Sequence, residues 1–461
     1  MKWQSKKLII YFLTLFLLIG SLGFGCKGLS EEEQVSVKPV KLTYWTVHND
    51  LTQLQRFADA YTAQYPHVTI NIRKVRYEEF DKLFVNALAD DVGPDIVSMH
   101  VRWLRRYQSR LLPMPRTVEV TRVTKQGKYF EETIVTKEKN SLLTPSLVEK
   151  KFVPTVNQDV RIGSDIFGLP LALDTMAIYY NKALLDKAGI PSAPENWDEL
   201  REAIIKTTKF DSQGNIVQSG VALGTGNNIE HAPDIMALFL LQNNVPILDG
   251  NKVALGKGLE KPYDKHPALE SLRFYTNFAR PTVDVYSWNE KKGKALDEFT
   301  SGKSAFYFGF AFDYVPIRAR APQMKLEVMP VPQLSKDSPV NVANYWVESV
   351  VKKSKHPNEA WDFVRFMTED DNIATYTKVT RRPSPLRVHF EEQKKDVVLE
   401  PFVSTALTAQ NWYRGRNVDA ASQALITMIT QLRAPYGEKE KPLERDAKII
   451  LNAAKVIQQT L

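Results

Sequence analysis

The amino-acid sequence predicts an α/β protein built around a parallel sheet that is covered by helices. Apolar residues alternate at 42–47 and at 68–72, which is the period of a strand, and apolar residues at helical spacing follow each run. A Gly93-Pro94 turn then leads into a third strand at 95–99. This β-α-β-α-β order is typical of a parallel, helix-covered sheet. A chain of 461 residues is too long for one compact core, so two or three domains are expected.

Two helices are predicted between these strands. Asp50 can cap the first helix, Leu54, Phe57 and Tyr61 share one of its faces, and Pro66 ends it. The second helix has an apolar face made of Phe80, Leu83, Phe84, Ala87 and Leu88.

The composition is that of a globular protein with a mildly basic surface. Hydrophobic residues make up 43% of the chain and charged residues 25%, and the formal net charge is +8. Three of the lysines behind this charge lie within the first 25 residues. The remaining charge is small for the length of the chain and predicts a solvated basic surface, with no nucleic-acid partner.

The amino terminus has the pattern of a signal peptide. Lys6 and Lys7 precede an apolar run at 8–19, and small residues then lead to Cys26. Cys26 is the only cysteine, which excludes an internal disulfide or a cysteine metal cluster. Its position resembles a bacterial lipobox, in which the cysteine becomes the lipidated amino terminus. We therefore expect an extracytoplasmic protein anchored to the cell membrane at Cys26, the alternative being an uncleaved leader that serves as the anchor.

The segment from Phe167 to Ala203 is the most informative part of the chain. It combines an apolar, aromatic strand that ends at Tyr180, a short helix closed by Gly189, and a helix capped by Asn196 and Glu199. The segment contains, in order, a GLP turn, a strand that ends in YYN, an AGI sequence and a P…WDEL sequence. This order resembles the signature of the family 1 extracellular solute-binding proteins, which serve ATP-driven importers. The resemblance implies a ligand-capture protein and not an enzyme.

Other parts of the sequence are similar to the same family, in the same order. They are the YP and GPDIV sequences of the first strands, the segment 299–306, the prolines at 330 and 332, the helix at 356–370 and the crossover at 382–385. Together they extend over roughly four-fifths of the chain. No counterpart is recognised for 116–157, where Gln126-Gly127 suggests a hairpin. We expect this insertion to decorate the surface, the alternative being a contact with ligand or importer.

The fold that the resemblance implies is periplasmic-binding-protein-like type II, with two α/β lobes joined by a multi-strand hinge. Ligand would lie between the lobes, at the carboxyl ends of the strands. The implied divisions are a signal peptide (1–25), a tether (26–40), lobe one (41–173 and 341–381) and lobe two (174–332 and 385–461).

Enzyme motifs are not found in the sequence. The segment 301–304 resembles the end of a phosphate-binding loop, but Asp297 stands where that loop needs a glycine. Neither G-x-S-x-G nor H-E-x-x-H occurs, and the seven histidines lack metal-ligand spacing. We therefore predict no catalytic residue, cofactor or metal. The expected function is that of a monomer which captures a mono- or oligosaccharide and delivers it to an ABC permease.

Sugar recognition requires aromatic rings that stack on apolar sugar faces, together with planar polar groups that bind pairs of hydroxyls. Such side chains are expected at strand ends that face the cleft. The candidates after the first and third strands are Trp45, His48, Asp50, His100, Arg102 and Trp103. Trp45 could instead belong to the core, and Asp50 could be only a helix cap.

The resemblance adds candidates in the second half of the chain. Asp174 and Thr175 lie at the implied first hinge crossing, where family members often place a ligand-facing acid. Phe310 and Phe312 lie in a segment that often carries a stacking tryptophan. The remaining candidates are Tyr345 and Trp346 after the second crossing, and Trp412, Tyr413 and Arg414 in a polar-aromatic loop that we expect to be exposed.

Two alternatives remain open on the sequence alone. The same fold could bind a non-sugar solute such as phosphorylated glycerol, a polyamine or another ion. Arg102, Arg414 and Arg416 would suit an anion, and a cleft with two or more arginines and no stacked aromatic ring would favour it. A secreted hydrolase or adhesin is the second alternative, in which Asp174 would be the carboxylate to examine.

Overall fold

The computed structural model describes residue 31, residues 37–126 and residues 132–461. The predicted signal peptide and Cys26 lie outside these residues, as does most of the predicted tether at 26–40. Two large β-sheets with their helices form the two lobes of the molecule. Within the described part of the chain, no helix combines the length and the apolar composition that crossing a membrane requires.

The first lobe contains a four-stranded sheet with the order β16-β3-β1-β2. Its strands are β1 (Val40–Thr46), β2 (Val68–Lys74), β3 (Ile96–His100) and β16 (Trp346–Val350). The first three strands are parallel, and β16 is antiparallel to β3. They are connected by helices α1 (Leu51–Gln64) and α2 (Tyr77–Ala89). The predicted β-α-β-α-β order is confirmed.

The second lobe contains a seven-stranded sheet with the order β17-β15-β8-β13-β10-β9, in which β14 also pairs with β8. Its strands are β8 (Asp174–Asn181), β9 (Lys209–Phe210), β10 (Ile216–Val221), β13 (Ser304–Phe310), β14 (Leu326–Pro330), β15 (Asn341–Asn344) and β17 (Ala409–Gln410). All eight residues of β8 are buried, which agrees with the apolar and aromatic run at 176–180 in its middle.

The remaining elements are short strand pairs, helices and 3₁₀ turns. In the described residues the pairs are β4 (Thr117–Gln126) with β5 (Glu132–Ser141), β6 (Arg161–Ile162) with β7 (Asp165–Ile166), and β11 (Leu248–Asp249) with β12 (Lys252–Val253). The helices are α3 (Leu104–Tyr107), α4 (Pro145–Lys151), α5 (Pro154–Val160), α6 (Lys182–Lys187), α7 (Trp197–Thr207), α8 (Ala232–Gln242), α9 (Pro267–Asn277), α10 (Ala295–Thr300), α11 (Tyr314–Arg320), α12 (Pro357–Met367), α13 (Asp370–Thr380), α14 (Phe390–Gln393), α15 (Glu400–Val403), α16 (Val418–Arg433) and α17 (Pro442–Gln458). The 3₁₀ turns are Val101–Trp103, Gln108–Arg110, Ala311–Asp313 and Arg387–His389.

Helix boundaries follow from the local sequence. The Asp50 carboxylate accepts a hydrogen bond from the backbone N–H of Gln53 at 2.9 Å and so caps α1. Asn196 accepts from the N–H of Glu199 at 2.9 Å and caps α7. Gly189 follows α6 with a φ of 73°, the left-handed conformation that ends many helices.

The chain passes between the lobes three times: near Asp174, at Tyr345, and between α13 of the first lobe and α15 of the second. Leu169 still exchanges backbone hydrogen bonds with Glu348 of β16, whereas β8 of the second sheet begins at Asp174. On the return, β15 pairs with β8 and β16 pairs with β3, so Tyr345 alone separates strands of different sheets. This return lies later in the chain than the crossing expected at 332–341. The exact lobe boundaries remain a prediction.

The insertion at 116–157 contains the predicted hairpin and the helices α4 and α5. Val118 and Val120 of β4 are buried where this strand contacts α12 of the first lobe. Val148 and Val156 of the two helices are also buried. The expectation of a purely surface decoration was therefore wrong, because one face of the insertion completes the core of the first lobe. The predicted turn at Gly127 lies outside the described residues.

Candidate functional site

A cavity of about 480 Å³ lies between the lobes, next to the carboxyl ends of the parallel strands β1, β2 and β3. This is the place where open α/β sheets usually bind their ligands. We call it the cleft. Its lining residues are His48, Tyr77, His100, Arg102, Gly226, Asn227, Ile229, Glu230, Pro233, Asp234, Lys294, Phe312, Asn344, Trp346, Arg382, Val418, Asp419, Ser422, Gln423 and Ile426.

Aromatic rings form one side of the cleft. Trp346 begins β16, Tyr77 follows β2, and His48 follows β1, so the strand order brings the three rings to one edge of the sheet. The His48 and Trp346 ring centroids are 5.1 Å apart, and Trp103 packs behind, 5.0 Å from Tyr77 and 5.4 Å from Trp346. Phe312 of the second lobe approaches His48 to 6.1 Å. These rings offer apolar faces of the kind that stack on a planar or ring-shaped ligand.

Polar side chains from the second lobe form the opposite side. Asp419, Ser422, Gln423 and Ile426 recur at the helical spacing that places them on one face of α16. A Cβ at Gly226 would lie 2.9 Å from Cγ2 of Ile426, so glycine permits this loop to approach α16 closely. The hydroxyl, amide and carboxylate groups of this wall can donate and accept hydrogen bonds.

Arg102 connects the two sides at the base of the cleft. Its guanidinium donates to the Asp234 carboxylate at 2.6 Å, to the Asn411 side-chain oxygen at 2.9 Å and to the Ala343 carbonyl at 3.1 Å. It also lies 4.9 Å from the centre of the Trp412 ring. Burial alone would raise the pKa of Asp234, but Arg102 outweighs it and lowers that pKa. The result is a buried, ionised pair that joins the lobes.

Arg382 forms a second buried pair, with Asp174. Its Nε donates to Asp174 at 3.1 Å, and an Nη atom donates to the same oxygen. Burial alone would lower the pKa of Arg382, but the Asp174 carboxylate outweighs it and keeps that pKa above its ordinary value. Arg382 lines the cleft, whereas Asp174 is fully buried behind it and does not. Asp174 therefore pairs with an arginine behind the cleft and does not line it, so the expected ligand contact of Asp174 remains a prediction.

The two cleft histidines are neutral at physiological pH. His48 is exposed in the cleft, yet the protein around it and the charge of Arg382 lower its pKa to about 4. Burial and Arg102 lower the pKa of His100 to about 3, and its Nε2 lies 2.9 Å from the side-chain oxygen of Asn344. Each ring can therefore donate from one nitrogen and accept at the other.

His231 has the opposite behaviour. Burial alone would lower its pKa, but the Asp313 carboxylate, 3.0 Å from its Nε2, outweighs this and raises the pKa. Its ring packs 5.0 Å from Phe310 and 5.9 Å from Phe312. His231 thus packs against Phe310 and Phe312, the aromatic residues that the second lobe places next to the cleft.

The structure brings five of the sequence-predicted candidates to the cleft: His48, His100, Arg102, Phe312 and Trp346. Other first-half candidates lie behind it or beside it. Trp45 is in the core with the Arg73 guanidinium 4.8 Å from its ring, and Asp50 caps α1. Trp103 supports Tyr77. The hydroxyl of Thr175 donates to the Phe402 carbonyl at 2.6 Å.

The later candidates serve the junction of the lobes. Phe310 is buried and stacks on Phe312 with centroids 5.6 Å apart. The Tyr345 hydroxyl donates to Asp159 at 2.7 Å, and Nε of Arg414 donates to the same carboxylate at 2.6 Å. None of these three candidates lines the cleft, so a role for them in ligand contact remains a prediction.

The loop at 412–414 is not exposed as expected. Trp412 is buried and its Nε1 donates to Asp234 at 2.8 Å. Tyr413 is also buried, and its hydroxyl donates to the Thr460 carbonyl at 2.9 Å. The expectation of solvent exposure was wrong because polar partners distant in sequence satisfy both rings inside the protein.

Sequence reasoning missed several residues of the cleft. Tyr77 follows the carboxyl end of β2, so the rule applied to the first and third strands would have found it. Asp234 and Glu230 lie at the start of α8, and Asp419 lies in the first turn of α16; neither helix carries a motif that distinguishes it from scaffold. The sequence interpretation treated Arg382 only as part of the crossover at 382–385.

Comparison with known proteins identifies the family and the fold. The model of the bacterial extracellular solute-binding proteins matches residues 45–374. A binding protein of Brucella abortus (strain 2308) is 25% identical over 362 residues, which cover 76% of each chain. An ABC transporter solute-binding protein from Thermotoga lettingae, solved with α-D-tagatose, has a TM-score of 0.65 at 19% identity, covering 91% of this chain and 100% of its own.

A cyclo/maltodextrin-binding protein solved with maltotetraose has a TM-score of 0.67 at 16% identity, covering 91% of this chain and 97% of its own. At these identities the two solved structures show a shared fold, the two-lobed type II arrangement that the sequence resemblance implied. The match to the family model extends from the first strand into α13 and includes both strands that flank Tyr345. The chain therefore belongs to the bacterial extracellular solute-binding proteins, and it is a solute-binding protein and not an enzyme.

Proposed function

We propose that this protein captures a neutral carbohydrate between its lobes and delivers it to the permease of an ABC transporter. The observation that carries the proposal is an aromatic side facing a polar side across one cleft. Trp346 and Tyr77 can stack on the apolar faces of a sugar ring. Asp419, Ser422 and Gln423 can bind the hydroxyls at its rim.

The pairing of the two cleft arginines argues against an anionic ligand. Two arginines line the cleft, but Arg102 is paired with Asp234 and Arg382 with Asp174. Both pairs are buried, so neither guanidinium presents an uncompensated charge to the ligand. The cleft also has an aromatic side, and the sequence argument for an anion required a cleft without stacked aromatic rings.

The size of the cleft and the ligands of similar proteins agree with a carbohydrate. A volume of about 480 Å³ lies in the lower half of the range of roughly 300–1,000 Å³ that is usual for small-molecule sites. This suits a mono- or short oligosaccharide. The similar solved structures named above contain tagatose and maltotetraose.

The transport role extends this proposal to the membrane. We propose that Cys26 is lipidated and holds the protein at the outer face of the cytoplasmic membrane as a monomer, where it meets the permease. The family is extracellular, which supports this location. A Cys26→Ala variant should move from the membrane fraction to the soluble fraction, and retention of that variant in the membrane would contradict lipid anchoring.

Binding can be tested with full-length protein in detergent micelles. Thermal unfolding and small-angle scattering are measured with a panel that includes tagatose, maltotetraose and mannobiose, and with glycerol 3-phosphate and spermidine as non-sugar solutes. We expect at least one sugar to raise the unfolding temperature and reduce the radius of gyration, since ligand stabilises the closed lobes. Trp346→Ala should weaken both responses at a given sugar concentration, and Phe210→Ala, which removes an exposed ring of the second lobe, should retain them. Responses to the non-sugar solutes alone would overturn the proposal.

A further inference from the structure

A second concave surface, distinct from the cleft, carries positive charge from both lobes. We call it the basic groove. It has a volume of about 450 Å³, and its cations are Arg105, Arg106, Lys352 and Arg416. Arg105 and Arg106 belong to α3, which the 3₁₀ turn Val101–Trp103 connects to β3, and Lys352 follows β16, so these three come from the first lobe. Arg416 lies in the loop between β17 and α16 of the second lobe.

Most of this charge is uncompensated. Arg106 lies 2.8 Å from Asp81 and 3.4 Å from Asp419. In the described residues no carboxylate comes within 4.0 Å of the Arg105, Lys352 or Arg416 side-chain nitrogens. This differs from the cleft, where each arginine has its own buried aspartate.

The surroundings of Arg105 disfavour its positive charge, so an anion bound beside it would stabilise its charged form. Burial and the neighbouring positive charge of Arg414 lower the pKa of Arg105. The nearby Asp159 carboxylate is already bound by Arg414 and by the Tyr345 hydroxyl. Because Arg414 belongs to the second lobe, its repulsion of Arg105 acts between the lobes.

We propose that the basic groove binds a small oxyanion, free phosphate or sulfate, between Arg105, Lys352 and Arg416. Guanidinium groups match the geometry of such anions with parallel N–H···O bonds, and the lysine adds a compact charge. Gln108 and Ser109 of the groove supply neutral donors for the remaining oxygens. The anion contacts both lobes and removes the repulsion between them. This site is separate from the carbohydrate site.

The test is a calorimetric titration of full-length protein in detergent micelles with inorganic phosphate, at constant ionic strength set with chloride and without sugar. The variant Arg105→Gln with Arg416→Gln removes two of the groove's charges. The control Arg56→Gln with Arg116→Gln removes the same number of charges from exposed arginines elsewhere. This control variant shows how much of the change in phosphate binding comes from the lower net charge, from the screening of charges by salt and from the general stabilisation of proteins by phosphate.

We expect saturable binding of phosphate by the wild-type protein and by the control, and at least about tenfold weaker binding by the groove variant, since two charge-assisted contacts are lost. Circular dichroism checks that the groove variant is folded. Equal phosphate affinity in the three proteins would overturn the proposal, as would a response that chloride reproduces. Since no sugar is present, a failure here is distinguishable from a failure of the carbohydrate proposal.

Discussion

The two sides of the cleft are built differently. On the first lobe, Trp346 and Tyr77 stand at strand ends and pack against Trp103, which is itself buried. On the second lobe, Asp419 and Gln423 project from a helix face into solvent. A packed ring loses little freedom when a ligand stacks on it, whereas exposed polar side chains must be ordered at a cost. We therefore expect the first lobe to supply most of the affinity and the second lobe to select among hydroxyl arrangements.

A buried polar network fixes the sheet behind the aromatic side. The Glu348 carboxylate of β16 accepts hydrogen bonds from the Tyr44 hydroxyl, from Asn49 at 2.7 Å and from Ser98 at 3.2 Å. The Tyr376 hydroxyl donates to the side-chain oxygen of Asn49 at 3.3 Å. On the second lobe, Asp234 is held by Arg102 and Trp412, but Asp419 and Gln423 of α16 are exposed, and their contacts with Arg106 and Thr427 are both 3.4 Å long.

The largest expected effect follows from breaking the contact that joins the two sides. Arg102→Ala should lower the free energy of unfolding by about 3–5 kcal/mol, because Asp234 would remain buried without a counter-charge. Arg106→Ala is the matched control: its ion pairs with Asp81 and Asp419 are more exposed, and its loss should cost about 0–1 kcal/mol. Urea denaturation at pH 7 measures both. Equal losses in the two variants would contradict a special role for the buried pair.

Replacing one group on each side tests the comparison itself. Trp346→Ala should weaken binding of the identified sugar by about 30- to 1,000-fold, equivalent to about 2–4 kcal/mol, because it removes the central stacking surface. Ser422→Ala should weaken it about tenfold or less, the value of one neutral hydrogen bond. Titration calorimetry measures both dissociation constants. A larger effect at Ser422 would reverse our view of which lobe supplies the affinity.

The network behind the aromatic side should make stability depend on pH. Burial raises the pKa of Glu348 to about 7, above its unfolded value of about 4.5. The folded state therefore keeps a proton that the unfolded state releases over this range. Stability from this group is present below about pH 4.5 and is lost as the pH rises to about 7.

Glu348→Gln removes this titration. Between pH 4.5 and pH 8 its free energy of unfolding should rise relative to wild type by up to about 3 kcal/mol, measured by urea denaturation. Glu202→Gln, at an exposed position of α7, should show no such trend. A difference between Glu348→Gln and wild type that stays constant with pH would show that the proton is not held there.

The smallest expected effect concerns Asp50, and it decides whether this residue is only a helix cap or also a ligand contact. Asp50→Ala should lower stability by about 0.5–2 kcal/mol through loss of the α1 cap and leave sugar affinity unchanged. Thermal unfolding and calorimetry measure the two quantities. Weaker sugar binding without loss of stability would instead favour the ligand contact considered from the sequence.

The sequence predicted the scaffold well because its signals are local. Alternation in β1 and β2, the cap at Asn196 and the left-handed residue at Gly189 each depend on neighbours within a few positions. The resemblance to the solute-binding family then supplied the two-lobed fold. The return between lobes was placed too early because the pairing of β15 with β8 joins residues far apart in the chain, and no local pattern records it.

The cleft was only partly predictable. Trp346 and His48 were found because they follow strands or crossings. The positions of Asp174 and Trp412 were not predicted correctly because their partners, Arg382 and Asp234, are distant in sequence. In a sequence, a charged or aromatic residue that faces a ligand cannot be distinguished from one that contacts a buried partner. The α16 residues were missed because an amphipathic helix gives no sign of which polar side chains face a cavity.

The position of Trp346 directly after Tyr345 has an optical consequence. This ring of the cleft stands next to the residue at which the chain changes sheets. If the lobes close on a ligand as proposed, we expect rotation about this point to change the solvent and the neighbouring rings around the indole. The difference in fluorescence between wild type and Trp346→Phe, which separates this ring from the other seven tryptophans, would then follow closure in a stopped-flow mixing experiment.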